Sequence, residues 1–301
     1  MINLSLRVRR ALTQDYHQIA NLILHEANLH RHLDWRSALD WVGSQNYWVM
    51  EEDGRINAAL ACPEDPPHVA WIRLFAYHPH LSGPESWSAL SGAAYPEIIR
   101  ANPHTCLGGQ CQGTQIAAIV VKPWFQNILL SSGFELKQNI ILLQWCGENA
   151  KAFNTTHRMR IRPMQASDLY AVTKVDFASF GHFWHNTFDS LQRARSQALH
   201  ATVAEDDSGV IGYQISTGNL LGAHLARLGV QPEAQGRGVG AALVSDLIQR
   251  MNFGQIGRLS VNTQADNAAS LALYEKMGFK YTGENFPVLV YRPDMTPQSA
   301  S

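Results

Sequence analysis

The sequence predicts an α/β fold built twice in one chain, as two tandem units, each a mixed central sheet flanked by helices. Three observations predict it. Strand-like alternation and helix-like periodicity take turns along the chain. The same succession of segments occurs in residues 1–148 and again in residues 158–301, on either side of the polar stretch CGENAKAFNTTH, in which residues 149–157 read as a linker. The second half also carries a glycine-rich turn at the start of a helix, which the first half lacks.

The first repeated segment is LRVRRALTQDYHQIANLI, matched by MRIRPMQASDLYAVTKVD. Both give an alternating basic and apolar strand, a turn with Asp, then an apolar-periodic helix. Asp15 follows Val8 by seven residues, and Asp168 follows Ile161 by seven. Next, WVMEEDGRINAALAC resembles ATVAEDDSGVIGYQIS, each two strands joined by an acidic, glycine-containing hairpin turn. Then HVAWIRLFAYHP resembles AHLARLGVQP, with Arg73-Leu74 against Arg227-Leu228. Finally FQNILLSSGFELKQ resembles SLALYEKMGFKYTG, with Gly133-Phe134 against Gly278-Phe279.

In QPEAQGRGVGAALVSDL, the glycines at 236, 238 and 240 leave the backbone nearly bare. Residues 241–251 place Ala242, Leu243, Leu247 and Ile248 at helical spacing. A helix start offers unpaired N–H groups and partial positive charge, which suits phosphate. A nicotinamide fingerprint would need an acidic residue at the end of the following strand, and that strand, GRLSVNTQ, has none; a Walker A loop would need Gly-Lys-Ser/Thr. The first half has HPHLSGPESWSALSGAAYPEII at this place, which reads as a degenerate copy kept for structure or for shaping a substrate groove.

The bulk numbers agree with a folded, soluble chain. Of 301 residues, 46% are hydrophobic and 16% charged. The net charge of −1 gives no field favouring nucleic acid or an anionic membrane. No apolar run reaches the ~18–20 residues needed to span a bilayer, and the N-terminus lacks a signal-peptide core. Cys62, Cys106, Cys111 and Cys146 are too few for a disulfide scaffold, and no metal site is expected. These features favour the cytoplasm.

The second half resembles the GCN5-related N-acetyltransferases (GNAT). Their acetyl-CoA loop, (Gln/Arg)-x-x-Gly-x-(Gly/Ala), matches Gln235, Gly236, Arg237, Gly238, Val239 and Gly240. Their later motif, Asn-x-x-(Ala/Ser)-x-x-x-Tyr-x-x-x-Gly-Phe, matches Asn267, Ser270, Tyr274, Gly278 and Phe279. The resemblance covers residues 158–292 and, weakened, the first half. It implies acetyl-CoA as cofactor, held by the loop residues, by Asn267, Ser270 and Tyr274, and by the backbones of Leu228 and Val230, to which the pantetheine arm would pair as a strand.

It also implies roles. Acetyl transfer needs a neutral amine, a stabilised oxyanion and a protonated leaving thiolate. Tyr274 matches the family's general acid; the first half has Leu129 there. His224 stands where several members carry a basic carboxylate, and strand alternation puts it on one face with Leu228 and Val230 unless a bulge intervenes. Asn262 stands where others carry a glutamate. The acceptor is expected to meet the loop of residues 176–191, which sets Phe177, Phe180, Phe183 and Trp184 among His182 and His185; Phe183, Trp184 and His185 are the expected substrate contacts. The expected reaction is N-acetylation of a primary amine on a small molecule or peptide, with no nucleic acid or membrane partner and with a homodimer allowed. The alternative is a non-catalytic acyl-CoA-binding sensor or interaction protein.

Overall fold

The computed structural model describes residues 6–25, 28–32, 34–101, 105–107, 110–145, 159–219, 222–253 and 257–292. They form two compact units. The first is Met1–Lys137 with Pro287–Ser301; the second is Gln138–Phe286. This differs from the expected division into 1–148 and 158–301; the expected linker at 149–157 lies outside the described residues. The chain enters the second unit part-way along one strand and re-enters the first part-way along another. Backbone pairing, which is blind to sequence distance, causes the difference.

The first unit contains β1 (Arg7–Arg10), α1 (Tyr16–His25), β2 (Asn28–Arg31), β3 (Tyr47–Glu52), β4 (Arg55–Ala61), β5 (Val69–Trp71), β6 (Leu74–Tyr77), α2 (Gly83–Ala101), β7 (Thr105–Leu107), β8 (Gln110–Gln112), β9 (Gln115–Ile119), α3 (Pro123–Ser131) and the start of β10 (Glu135–Trp145). One sheet has the order β1-β3-β4-β6-β2. The segment HVAWIRLFAYHP forms two strands that part at Ile72-Arg73: β5 pairs with β9 in parallel, while β6 pairs with β4. Phe75, Trp87, Phe125 and Leu60 centre one core; Ile19, Tyr47, Val49 and Leu74 centre another.

The second unit contains the rest of β10, then β11 (Arg160–Pro163), α4 (Leu169–Trp184), α5 (Phe188–Ser196), β12 (His200–Asp206), β13 (Gly209–Asn219), β14 (Gly222–Val230), α6 (Val239–Phe253), β15 (Leu259–Gln264), α7 (Ala268–Lys276) and most of β16 (Phe279–Tyr291). Its strands run β11-β12-β13-β14-β15-β10-β16. β10 lies antiparallel along β15, from Ile140 opposite Gln264 to Trp145 opposite Leu259. In the first unit, β9 takes Val288–Tyr291 of β16 as its antiparallel neighbour. Leu143 and Trp145 join Leu225, Val244, Leu247, Ile248, Leu259 and Val261 in the core beneath α6 and α7.

The repeated aspartates have a shared reason. Arg9 binds Asp15 at 2.6 Å and Glu51 at 2.5 Å; Arg162 binds Asp168 at 2.7 Å and Glu205 at 2.7 Å. Asp15 Oδ2 accepts the Leu12 N–H at 2.7 Å, and Asp168 Oδ2 accepts that of Gln165 at the same distance. One carboxylate thus closes the turn after the first strand and ties it to the hairpin. The register shifts at Met50/Glu51 and at Ala204/Glu205, so each copy has a bulge where the glutamate meets the arginine.

Candidate active site

The site is built around a split between two strands. β14 and β15 pair in parallel only from Ala223–Leu225 against Leu259–Val261. Beyond that, β15 continues along β10 while β14 continues along β13. The register of β14 on β13 shifts at Ile215/Ser216, leaving Ala226 as the extra residue. Gln231 N–H donates to Ile211 O across to β13 at 2.9 Å. By alternation, residues 227 and 229 turn their backbone groups to β13, and Leu228 and Val230 turn theirs into the split. Ser179 Oγ and Gln235 Nε2 reach the Val230 carbonyl at 2.9 and 3.2 Å.

The bulge corrects one expectation. His224 does not share a face with Leu228 and Val230. Ala223 and Leu225 enter the core under α6 and α7 before the bulge, and Leu228 packs on that core after it. His224 therefore lies on the opposite face, because one inserted residue reverses a period of two. Its Nδ1 is 2.9 Å from Ser260 Oγ, which donates to the Ala223 carbonyl at 3.4 Å. That arrangement assigns the ring proton to Nδ1 and leaves Nε2 with the lone pair. Burial pushes the imidazole below its ordinary value, so the neutral ring prevails at neutral pH.

At the far end of β14 the glycine loop leads into α6. Gly236 and Gly238 have φ of +75° and +85°, the left-handed region that glycine tolerates. Gly240 lies against α7, where a Cβ would stand 3.2 Å from Leu273 Cδ2. Val239 puts its side chain into the core, leaving only its backbone at the loop surface. Arg237 reaches Asp206 at 3.2 Å, tying the loop to the β12–β13 turn. Asn267 caps α7, its side chain accepting the Ser270 N–H at 3.0 Å and donating to Gln264 Oε1 at 3.3 Å. Tyr274, 4% exposed, packs with Phe279 and with Leu225 and Val261 on the strands that part. Burial pushes its hydroxyl pKa up, so the phenol stays protonated.

The acceptor loop expected at 176–191 is instead mostly helix. α4 runs to Trp184, broken at Gly181 (φ +66°), and α5 starts at Phe188 after the Thr187 cap. Phe183, Trp184 and His185 are half-buried around this break. Sequence reasoning missed the clasp that fixes it. Asp176, fully buried, accepts from Arg227 Nε and Nη2 at 2.7 and 3.0 Å, from the Asn186 N–H at 2.6 Å and from the Tyr213 hydroxyl. Arg227 also donates to Trp184 O at 2.6 Å and stacks 3.5 Å over Phe180. The repeated Arg-Leu pair was the available signal: Arg73 makes the corresponding buried ion pair with Asp34 in the first unit.

The first unit treats the matching backbone edge differently. β6 has β4 on one side and β2 on the other, with Leu29 opposite Ala76 and Asn28 opposite Tyr77. The Tyr77 hydroxyl packs at the start of α2, where a Cβ on Gly83 would lie 2.6 Å away. Phe75, Tyr77, Trp87, Trp124 and Phe125 fill the space behind with ring-to-ring contacts.

The model of the Acetyltransferase (GNAT) family matches residues 167–279. The ribosomal protein bS18-alanine N-acetyltransferase of Salmonella typhimurium is 30% identical over 117 residues, covering 38% of this chain and 77% of that protein. The chain belongs to the GNAT acetyltransferase family. The mycothiol acetyltransferase of Paenarthrobacter aurescens is 32% identical over 118 residues, covering 34% of this chain and 36% of that protein, so the match spans little more than a third of that GNAT relative. A tandem GNAT protein from the clavulanic acid biosynthesis pathway has the same fold across 95% of this chain and 98% of its own, with a TM-score of 0.62 at 12% identity. The expected α/β fold, two tandem GNAT units, and the expected acyltransferase class agree with these likenesses. Among the described residues, no helix is long and apolar enough to cross a membrane.

Proposed function

We propose that the chain is an N-acetyltransferase that moves an acetyl group from acetyl-CoA to a primary amine of a small molecule or peptide, through its second unit. The observation that carries this is the split between β14 and β15, with the Leu228 and Val230 backbones turned into it. Those backbone groups would hold a pantetheine arm by strand-like pairing, at the Val230 carbonyl that Ser179 and Gln235 now reach. The residues present fit the rest of the coenzyme. The α6 start supplies N–H groups for the pyrophosphate, with the glycines of residues 236–240 clearing the approach. Gln235, Arg237 and Val239 frame that loop, and Asn267 and Ser270 frame the start of α7.

Acetyl-CoA, once bound, supplies an activated acyl group on a thiol leaving group. Tyr274 donates its proton to the departing sulfur, being held as the neutral phenol by its apolar surroundings. His224, with Nε2 unprotonated and one residue from where the strands part, takes the amine proton directly or through water. Phe183, Trp184 and His185 form a wall of the acceptor site, fixed by the Arg227–Asp176 clasp. Among the described residues of the first unit the matching edge is closed, because β2 already occupies the side of β6 that a pantetheine would use.

Calorimetry with acetyl-CoA on the full chain tests this. One site per chain is expected, together with thiol release on addition of amines. Tyr274→Phe should keep the affinity and slow the chemical step by roughly 10²-fold. Two equivalent sites, or no binding, would overturn the reading.

A further inference from the structure

One face of the second unit's sheet carries a polar row that runs across four strands. Thr217 on β13 is opposite His224, His224 is opposite Ser260 on β15, and Ser260 is opposite Gln144 on β10. Directly opposed residues on neighbouring strands project to the same face. The other face of the same strands is apolar, with Ala223, Leu225, Leu259, Leu143 and Trp145 in the core. A sheet face that carries polar side chains on four successive strands is not built to be covered by a helix. Here the row floors a cavity of about 580 Å³, large enough for a small molecule.

The cavity has a definite electrostatic character. Arg258, two residues before Ser260 on the chain, lines it, and among the described residues no acidic one does. The remaining polar groups are an imidazole, two hydroxyls and an amide. The wall nearest the strand split is His224, paired to Ser260 one step from the last parallel pair. Arg258 lies on the side of the row away from the split, its carbonyl accepting the Ala223 N–H at 2.9 Å, so a molecule that crosses the row along the strand direction puts one end at the split and the other beside a guanidinium. A guanidinium fork matches a carboxylate in geometry and charge. A second cationic group on the acceptor would meet Arg258, the one charged residue among the described lining, and would be repelled.

We propose that this cavity is the acceptor subsite and selects amines that also carry a carboxylate, the amine resting at His224 and the carboxylate on Arg258. The acceptor class is that of amino acids and amino-acid-like acids. The proposal rests on the N-acetyltransferase reading and narrows it. The acceptor's nitrogen forms the new amide bond, the thioester bond breaks, the amine proton leaves to His224 or water, and the thiol takes up a proton.

The test uses the full chain, acetyl-CoA and matched probes: the common α-amino acids and the corresponding α-carboxamides, followed by thiol release. The expected result is kcat/KM at least tenfold higher for the carboxylate than for its carboxamide, in at least one matched pair. Arg258→Gln should bring that ratio close to one, and Arg258→Lys should restore part of it. Because Arg258 is exposed, the variants should fold, which circular dichroism checks. Carboxamides acetylated as well as or better than their acids would overturn the proposal. So would acetyl-CoA binding with no transfer to either series, which leaves the coenzyme reading standing. Failure to bind acetyl-CoA at all would overturn both.

Discussion

Cutting the chain at its polar stretch should not release a folded second half. The second unit takes residues 138–145 into its sheet, between β15 and β16. Ile140, Leu143 and Trp145 on that strand are 8%, 6% and 1% exposed. Burying such side chains contributes ~1.5–3 kcal/mol each, or roughly 5–9 kcal/mol for the three. A domain's whole stability is about 5–15 kcal/mol. Removing the strand also strips β15 of its antiparallel partner over Leu259–Gln264 and exposes an edge that invites aggregation. A fragment of residues 158–286 should therefore show no cooperative urea transition by tryptophan fluorescence and should aggregate on gel filtration. A fragment of residues 138–286 should unfold cooperatively. In the full chain, Trp145→Ala alone should cost about 3–5 kcal/mol. A fragment of residues 158–286 that unfolds cooperatively at the midpoint of the longer one would refute the reasoning.

Three further outcomes are expected. Gly240→Asp places a carboxylate at the first turn of α6, with Leu273 Cδ2 3.2 Å from the new Cβ and Val230 and Leu228 close by, so melting should fall somewhat; in the variant that still folds by circular dichroism, acetyl-CoA affinity should fall at least tenfold, ~1.4 kcal/mol, by calorimetry. His224 is held below its ordinary value by burial, so the acidic limb of the kcat/KM profile should lie below pH 6.5 and should disappear in His224→Gln; a limb that persists in the variant excludes the imidazole. Asp168 lies below the usual carboxylate range, chiefly through its hydrogen bonds from Arg162. A folded-state value below the unfolded one gives stability that is present above about pH 4 and is lost as pH falls through the folded value. Arg162→Gln should therefore cost about 2 kcal/mol in urea unfolding at pH 7, with the difference from the parent narrowing below pH 4.

The local chemistry of the site was legible in the residues. Gly236 and Gly238 announced positive φ, and the run from Ala242 to Ile248 announced the helix behind them, because conformation and periodicity are set by near neighbours in the chain. The doubled order of segments announced two units, and the Asp at the same offset in each announced a shared turn. What the sequence could not decide was set by pairings between distant segments. A bulge at Ala226 depends on how β14 meets β13, and it alone moved His224 to the other face of the sheet. The edge of β6 is closed because β2, a four-residue strand with no periodicity to betray it, lies along it. In the polar row, Ser260 and Gln144 are more than 100 positions apart, and residues 138–145 of β10 join the second unit by pairing along β15. Alternation and helical period are properties of a segment, whereas register, bulge and strand neighbour are chosen by whichever backbone groups remain unpaired when the segments meet.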